Sequence, residues 1–534
     1  MTTPVSLTSA TTRSGKPIAE ASKRPEVGKP ELPDDERHFR TDHLISNLGK
    51  RAFSGGIVTT LSQAARFALY MALTVILARM LKPPDFGLVA MALALTSVLH
   101  MFRDAGLSTA TVQQERITHA QVSNLFWANV AVGLLCTLVG VGLAPLMSWF
   151  YRDPRLIGIT ISLSLTLLAG GAAVQHLALL NRQMRFTALA LIDVSSMVTS
   201  LVVGVVMAAC GFGYWSLVGS QLAAAFAELL LAWLASGWRP QLPKARSGTR
   251  SMLNFGASLT FAMLLRRITS NADSFLLGRY SGAHALGLYS RGMALVMRPL
   301  DQFLVPFDKV FLPVLSRLQD QPERYRRNFL QIYNAIALVS FPIAGLLLGL
   351  SRPLVLALLG PRWEEVAPLV AALAITALFY PVACASMWLL TTQRRNRDIL
   401  VSGIAISLIS ITACVVGLPF GPIGVALAFS LFGLLIRLPI QYYIVGRGGP
   451  IGTTDLWKAF FRHLPFWAVV GGSAYFPQII FPLVHPAAQA VLGIVSGLVA
   501  ALILMGSVPT YRREVSGFRE LVKRLIESRR GSAV

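Results

Sequence analysis

The chain has 534 residues, of which 54% are hydrophobic and only 14% are charged, with a mean hydropathy of +0.59. Soluble globular proteins carry about 25% charged residues, so this composition excludes that class and indicates an integral membrane protein. The net charge of +23 does not indicate nucleic-acid binding, because the basic residues lie in the tails and in short connections between apolar runs. The four cysteines lie inside apolar runs without CxxC spacing, so we expect no disulfide framework, metal site or cofactor.

A polar leader precedes a long series of apolar runs. Residues 1–50 are rich in Thr, Ser, Pro, Lys and Glu, which predicts a disordered cytoplasmic leader. Each later run has about twenty residues, the length that a helix needs to cross about 30 Å of hydrocarbon. We place fourteen spans at about 55–80, 86–102, 121–150, 155–180, 187–210, 214–236, 251–277, 285–312, 329–350, 365–390, 399–418, 422–445, 457–482 and 487–507. The sequence therefore predicts an all-α integral membrane protein.

The distribution of basic residues predicts the orientation of the spans. An even number of spans places both termini on one side of the membrane. Basic residues concentrate in the connections that share the side of the N-terminus, such as 182–185, 239–250 and 394–397, which indicates a cytoplasmic N-terminus and C-terminus. Residues 511–530 repeat apolar side chains at helical spacing among basic ones. This pattern predicts an amphipathic helix on the anionic inner surface of the membrane.

Two internal repeats divide the spans into halves. Because the first and seventh spans are separated by six crossings, they run in the same direction, as in transporters built from parallel repeats. At an offset of 200 the identical pairs are Gly56/Gly256, Thr60/Thr260, Arg66/Arg266, Ala72/Ala272, Leu77/Leu277, Arg79/Arg279, Gly87/Gly287, Leu88/Leu288, Ala94/Ala294 and Leu95/Leu295, and at an offset of 210 they are Gly211/Gly421, Leu217/Leu427 and Ser220/Ser430. We expect two six-helix lobes around a central cavity, followed by two extra helices. The expected divisions are the leader 1–50, the N-lobe 51–238, a cytoplasmic linker 239–250, the C-lobe 251–446, two further helices at 447–510 and the basic tail 511–534.

Ionisable residues lie inside several predicted spans, most densely between residues 251 and 312. Such groups are costly at bilayer depth and therefore mark functional positions. Helical spacing places them on polar faces that cannot face lipid cheaply, so we expect these faces to line a hydrated, cationic cavity between the lobes. The candidate site residues are Arg66, Arg266, Arg267, Asp273, Arg291, Arg298 and Asp301.

The chemistry of this set favours an anionic ligand. A purely structural alternative is that a buried arginine forms an ion pair that fixes helix register, and Arg79 and Arg279 at span ends can snorkel to the surface. The arginines at 66, 266, 291 and 298, however, outnumber the acids Asp273 and Asp301. A phosphate suits this excess because a guanidinium donates paired hydrogen bonds to it. The chain has no GxxxxGK[ST], HExxH, CxxC or GxSxG motif, so we expect no enzyme activity.

Three stretches carry a resemblance to a known family. They are LARMLKPPDFGLVAMAL with FRDAGLSTATVQQ inside 77–114, NLFWANVAVGLL at 124–135, and NADSFLLGRYSGAHALGLYSRGMAL at 271–295. The turn at 83–88 and the N-x-D-x-x-L-x-G-R pattern at 271–279 are the most specific parts. The region of about 50–450 resembles the polysaccharide-transport (Wzx-like) flippases, close to the colanic-acid and succinoglycan type. These belong to the superfamily of multidrug, oligosaccharidyl-lipid and polysaccharide exporters.

The resemblance implies that the chain moves undecaprenyl-pyrophosphate-linked oligosaccharide repeat units across a bacterial inner membrane for exopolysaccharide or lipopolysaccharide export. It implies membrane lipids, a polysaccharide polymerase and chain-length or export proteins as partners, and alternating access around a fixed site. Two alternatives belong to other classes. A multidrug and toxin extrusion antiporter should have an acidic, aromatic cavity, whereas this one is basic. A polysaccharide polymerase or ligase should have a large outer loop with catalytic Arg and His. Here the longest expected outer loop, residues 351–364, is short and contains no His.

Overall fold

The computed structural model describes residues 48–104, 107–114, 117–243 and 271–531. Across these residues the chain is almost entirely α-helical and contains no β-strand. Most of the seventh predicted span, with Arg266, Arg267 and the repeat residues Gly256 and Thr260, lies outside the described residues, as does nearly all of the leader. The expectations for those residues are therefore left as predictions.

In the described part of the chain, the first lobe consists of six long helices and one short helix of seven residues. The helix His119–Tyr151 shows how local sequence sets helix ends. At its start, Thr118 and Gln121 form a capping box, in which the Gln121 amide donates to the Thr118 hydroxyl at 3.3 Å and the Thr118 amide donates to the Gln121 side chain at 3.0 Å. After its end, Arg152 has the left-handed conformation with φ 59°. The helices are α1 (Leu48–Met80), α2 (Pro83–Asp104), α3 (Leu107–Gln113), α4 (His119–Tyr151), α5 (Arg155–Arg182), α6 (Phe186–Ala209) and α7 (Trp215–Ser236).

The remaining helices form the second lobe and the C-terminal region. In the first of them a non-helical residue, Gly282 with φ 80°, separates two helical parts. The helices are α8 (Ala272–Arg317), α9 (Pro322–Gly349), α10 (Ser351–Leu358), α11 (Val366–Thr392), α12 (Asn396–Gly417), α13 (Gly421–Phe432), α14 (Leu438–Gly446), α15 (Thr453–Ile480), α16 (Pro486–Ser507) and α17 (Pro509–Gly531). A π-helical segment, Gly433–Arg437, joins α13 to α14.

The helices confirm an all-α membrane fold. Within the described part of the chain, ten helical segments are long and apolar enough to cross a membrane. One of them, Asn396–Gly446 with 51 residues, contains two predicted spans. Predicted spans at 285–312 and 457–482 coincide with long helices, α8 and α15, that are too polar to count among the ten. The other predicted span, 251–277, falls mostly outside the described residues.

Successive crossings define two sides of the molecule. We call the side with the connections at 81–82, 152–154 and 210–214 the turn side, and the side with those at 183–185, 237–243 and 393–395 the linker side. Both α1 and α17 have their outermost ends on the linker side. The largest buried cluster contains most of the C-lobe core, and the N-lobe contributes turn-side residues such as Leu77, Leu88 and Tyr151 to it. On the linker side the N-lobe has a separate cluster that includes Phe126 and Trp238. The two lobes thus share a core on the turn side.

The 210-residue offset is reproduced in backbone geometry. Met184 and Arg394 both have left-handed φ values, 53° and 56°, and so do Gly211 and Gly421, 82° and 69°. The next residues also match, because Arg185 donates to the Ala235 carbonyl at 2.9 Å and Arg395 donates to the Val445 carbonyl at 2.8 Å. These pairs confirm that the two lobes are copies of one six-helix unit.

The 200-residue offset is reproduced where α2 crosses α8. A Cβ on Gly87 would lie 1.7 Å from the Ala283 carbonyl oxygen, and a Cβ on Gly287 would lie 2.0 Å from the Pro83 carbonyl oxygen. Residues 83 and 283 are themselves a matched pair, so the two contacts are reciprocal. This crossing places a pseudo-two-fold axis between the lobes, as the parallel repeat predicts. Only glycine lets the two backbones approach this closely.

The C-terminal helix α17 packs against the second lobe. The ring of Phe518 is stacked 6.5 Å from that of Phe307, and the Tyr511 hydroxyl donates to the Arg462 carbonyl at 2.9 Å. Glu514 lies 3.1 Å from both Arg462 and His463. The amphipathic helix predicted from the sequence is therefore present. Part of its apolar face has protein, rather than lipid, as its partner.

Candidate substrate site between the lobes

Two arginines of α8 reach toward the N-lobe. The Arg291 guanidinium lies 4.6 Å from the ring centroid of Phe86, and that of Arg298 lies 5.4 Å from the ring centroid of Tyr70. The two residues are seven positions apart, or about 10 Å along the helix at 1.5 Å per residue. Both contacts are cation–π interactions, which hold a guanidinium without neutralising its charge.

Arg291 and Arg298 have no carboxylate partner in the described part of the chain. None of the ion pairs found there, at a cutoff of 4.0 Å, includes either residue. The Nε of Arg291 is buried and makes no hydrogen bond. A desolvated cation without a counter-ion is unfavourable, so this arrangement has spare capacity for an anion.

The two acids predicted for the site are held by tyrosines of the C-lobe. Asp273 accepts from the Tyr289 hydroxyl at 3.0 Å and from the Ser274 amide at 2.7 Å. Asp301 accepts from the Tyr380 hydroxyl at 2.8 Å. Asp301 shares α8 with Arg298, but its described partner belongs to α11. These contacts leave the positive charge at Arg291 and Arg298 uncompensated.

Arg66 has a partner that is not among the candidates drawn from the sequence. Its Nη1 lies 3.2 Å from the carboxylate of Asp193 on α6, and both side chains are about half exposed. Asp193 adds a carboxylate to the two acids expected from the sequence, so the excess of positive charge in the N-lobe is smaller than the sequence predicts. A single acid inside the apolar run at 187–210 is the signal that identifies Asp193.

A second charged residue missing from the candidates is Arg437. It ends the π-helical segment Gly433–Arg437, and π-helical turns occur often at functional sites. In the sequence it is the lone charge in the apolar run at 422–445. The same criterion of cost at bilayer depth therefore identifies it.

The matched residues Arg79 and Arg279 contact the opposite lobe in addition to lying at helix ends. Arg79 donates to the carbonyls of Leu358, at 3.2 Å, and Ala357. The Arg279 guanidinium lies 5.8 Å from the ring centroid of Phe150 at the end of α4. Each arginine thus joins its own lobe to the turn-side end of the other lobe. This role differs from the snorkelling expected from the sequence.

Aromatic contacts complete the closure on the turn side. Trp363 donates from Nε1 to the Ala78 carbonyl at 2.7 Å, and its ring packs edge-on against Phe86 at 5.2 Å. Phe86 therefore touches both Trp363 and Arg291. We call Arg79, Phe86, Gly87, Gly287 and Trp363 the turn-side junction. Arg291 and Arg298 lie four and eleven residues beyond Gly287, or about 6 and 16 Å toward the linker side.

Among the described residues, no group of three or more His, Cys, Asp or Glu side chains could hold a metal ion. The arrangement instead offers guanidinium groups and tyrosine hydroxyls between two helical lobes. A guanidinium donates paired hydrogen bonds to phosphate or carboxylate oxygens, so this chemistry is suited to an anionic group.

The fold and the site define the class of the protein. A membrane protein with two six-helix lobes in parallel repeat, and with charged residues between them, has the architecture of a transporter. The solved structure of the lipid II flippase MurJ in an inward closed conformation shares this fold, with a TM-score of 0.65 and 14% sequence identity. That match covers 87% of this chain and all of the MurJ chain.

Sequence comparison identifies the family. Residues 76–368, more than half of the chain, match the family of polysaccharide biosynthesis proteins, to which the chain belongs. The lipopolysaccharide biosynthesis protein WzxC of Escherichia coli K12 is 23% identical, over 78% of this chain and 87% of its own length. The teichuronic acid biosynthesis protein TuaB of Bacillus subtilis 168 is 27% identical, over 62% of this chain and 70% of its own. The resemblance to polysaccharide-transport proteins is confirmed, and the family is of transporter type rather than enzymatic.

Proposed function

We propose that the protein is a flippase for undecaprenyl-pyrophosphate-linked oligosaccharide repeat units in a bacterial inner membrane, serving exopolysaccharide or lipopolysaccharide export. The observation that carries the proposal is the pair Arg291 and Arg298, which lie between the lobes without a carboxylate partner in the described chain. The family membership and the MurJ-like fold support it.

In this proposal the arginines bind the pyrophosphate. A guanidinium donates bidentate hydrogen bonds to phosphate oxygens and stays charged when partly desolvated. Arg291 and Arg298 supply these contacts from the C-lobe, and Arg66 supplies one from the N-lobe by sharing its charge between Asp193 and the substrate. Arg266 and Arg267 complete the basic set, and Asp273 and Asp301 orient the surrounding tyrosines.

The proposed transport step is a rocking of the two lobes. With both termini in the cytoplasm, the linker side is cytoplasmic and the turn side faces the periplasm. The turn-side junction then closes the periplasmic end, so this conformation receives substrate from the cytoplasmic leaflet. Separation of the junction, with closure on the linker side, exposes the headgroup to the periplasm while the polyprenyl chain remains in lipid. In this proposal the moving parts are the N-lobe (51–238) and the C-lobe (251–446), joined by the linker 239–250. The two further helices (447–510) and the basic tail (511–534) are attached to the C-lobe.

The test is complementation in cells that lack the native copy. We expect Arg298→Ala and Arg291→Ala to abolish surface polysaccharide and to raise the inner-leaflet lipid-linked intermediate, at normal protein levels. Arg298→Lys should fail nearly as badly, because an ammonium cannot donate in the bidentate geometry. Arg362→Ala, at an exposed turn-side position, is the matched control. Normal export by both alanine variants would contradict the proposal.

A further inference from the structure

A cavity lies inside the N-lobe, apart from the arginines of α8. Its volume is about 520 Å³, and α1, α3, α5 and α6 surround it near the linker side. Small-molecule sites in proteins occupy about 300 to 1,000 Å³, so this space can hold a ligand of one or two rings. The lining residues that decide its chemistry are Thr59, Ser62, Thr109, Asn181, Phe186 and Asp193.

The wall formed by α3 is held in place by buried contacts. The Thr111 hydroxyl donates to the Gln175 side chain on α5 at 2.8 Å, and the buried Arg182 donates to the Thr111 carbonyl at 3.0 Å. These bonds fix a helix of only seven residues that could not be stable alone. Thr109, on the same short helix, is therefore presented to a preformed cavity.

The lining favours a neutral, hydroxyl-rich ligand. Half of its fourteen lining residues are polar, four with hydroxyls, two with amides and one with a carboxylate, and the other half are apolar, among them Phe186. The rings of sugars have both polar edges and apolar faces, so a mixed lining suits them. The Thr59 hydroxyl donates to the Gly55 carbonyl at 2.7 Å and that of Ser62 donates to the Thr59 carbonyl at 3.0 Å, so both oxygens remain acceptors. Sugar hydroxyls donate and accept at once, which matches such a mixture of groups. The carboxylate of Asp193 opposes a phosphate here, and an acyl chain would leave seven polar side chains without hydrogen-bond partners from the ligand.

One face of α1 connects this cavity with the arginines. Thr59, Ser62, Arg66 and Tyr70 recur at helical spacing. Arg66 pairs with Asp193 of the cavity wall, and the Tyr70 ring lies under Arg298. Ser62 and Tyr70 are eight residues apart, or about 12 Å along the helix. A ligand with a phosphate at Arg298 can therefore extend a sugar along α1 into the cavity.

We propose that this N-lobe cavity binds the sugar attached to the pyrophosphate and selects among repeat units. The proposal rests on the proposed function, because the sugar arrives only as part of a lipid-linked substrate. It assigns the recognition of charge to α8 and the recognition of sugar to α1, α3, α5 and α6.

Two pairs of variants isolate the cavity. Thr59→Val removes a lining hydroxyl, and Thr60→Val is its control, because Thr60 is exposed and makes the same bond to its own helix, to the Gly56 carbonyl at 2.8 Å. Ala190→Phe fills the cavity, and Ala64→Phe places the same ring at an exposed position outside it. Equal thermal unfolding midpoints within each pair show that differences in binding do not arise from misfolding.

The experiment compares two probes with the purified protein in nanodiscs. One is undecaprenyl pyrophosphate, and the other is the lipid-linked repeat unit extracted from an export-deficient strain of the same organism. We expect the wild type to bind the repeat unit more tightly. Ala190→Phe should reduce that affinity to the level of undecaprenyl pyrophosphate, and Thr59→Val should reduce it about threefold, the typical effect of one lost hydrogen bond. Neither should change binding of undecaprenyl pyrophosphate.

The outcomes separate this inference from the proposed function. If Ala190→Phe binds the repeat unit as tightly as the wild type while Arg298→Ala weakens both probes, the cavity assignment is wrong and the flippase proposal stands. Equal wild-type affinities for the two probes would also overturn the cavity assignment. If the wild type binds neither probe, the proposed function fails.

Discussion

The helix α2 and the second part of α8 are copies of one element, 200 residues apart, and they differ in the charge that they carry beyond the crossing. Both keep the glycine that lets the other copy cross it, Gly87 and Gly287. Residues 87–101 of α2 contain no Asp, Glu, Lys or Arg, whereas the matching residues 287–301 of α8 contain three charged residues. Arg291, Arg298 and Asp301 stand where the N-lobe copy has Met91, Val98 and Met101.

The difference separates what the fold needs from what the site needs. The crossing requires glycine in both copies. A backbone carbonyl of each copy occupies the space that a Cβ on the other copy's glycine would need. The charges are not required by the crossing, since the N-lobe copy makes the same backbone contact with a buried Met91 at the position that matches Arg291. Charges in a membrane helix lower stability unless they are neutralised. Their presence in one copy therefore indicates function.

The largest effect is expected from breaking the crossing. Gly87→Ala and Gly287→Ala each place a methyl group within van der Waals distance of a backbone oxygen, so the helices must separate. We expect each variant to lose about 1–3 kcal/mol of stability and to lose export. Gly56→Ala is the control, because a Cβ there meets nothing within 4 Å. Thermal unfolding in detergent and surface polysaccharide are the measurements, and wild-type values for both glycine variants would refute the reciprocal contact.

Giving the C-lobe copy the N-lobe residues should separate stability from transport. We expect Arg291→Met with Arg298→Val to leave the unfolding midpoint unchanged or to raise it, because Arg291 is a partly buried cation without a described carboxylate partner and Arg298 is exposed. Export should be lost. A marked fall in the unfolding midpoint, together with normal export per folded molecule, would show that these arginines support the fold instead.

Weakening the junction without touching the crossing should have a smaller effect. Arg79→Ala removes two hydrogen bonds to C-lobe carbonyls, and bonds from a charged donor contribute about 1.5–3 kcal/mol when buried and less at this exposed position. We expect the turn side to open more often. Spin labels at Lys82 and Arg362 should show a longer mean distance in this variant than in Met80→Ala. Identical distance distributions would show that Arg79 does not help to close the junction.

The smallest effect concerns exposed ion pairs that both lobes carry on the turn side, Asp153 with Arg155 at 2.7 Å and Glu364 with Arg352 at 2.8 Å. The Arg155 guanidinium holds the pKa of the Asp153 carboxyl below its usual range of about 3.9. The stabilisation is thus present above about pH 4 and is lost as pH falls through the lowered pKa. Because the pair is partly exposed, we expect less than about 1 kcal/mol. The difference in unfolding midpoint between wild type and Asp153→Asn should shrink between pH 7 and pH 3. A difference that stays constant would contradict the assignment.

The sequence predicted the architecture because the repeat and the apolar periodicity are properties of the chain itself. The glycines at 87 and 287 were visible as a matched pair, but their reciprocal contact with residues 283 and 83 needs three-dimensional structure. Partners distant in sequence, such as Asp193 for Arg66 and Tyr380 for Asp301, could not be assigned for the same reason. The N-lobe cavity was not predicted, because its lining comes from four helices whose packing no local pattern reveals.

The central claim is that Arg291 and Arg298 bind the charged headgroup. It is tested most directly by the affinity of the purified protein for undecaprenyl pyrophosphate and for uncharged undecaprenol. We predict that the wild type prefers the pyrophosphate at least about tenfold, the range of one strong charge-assisted hydrogen bond. The Arg291→Met and Arg298→Val double variant should lose this preference and bind both lipids equally. A double variant that keeps the full preference would contradict the account.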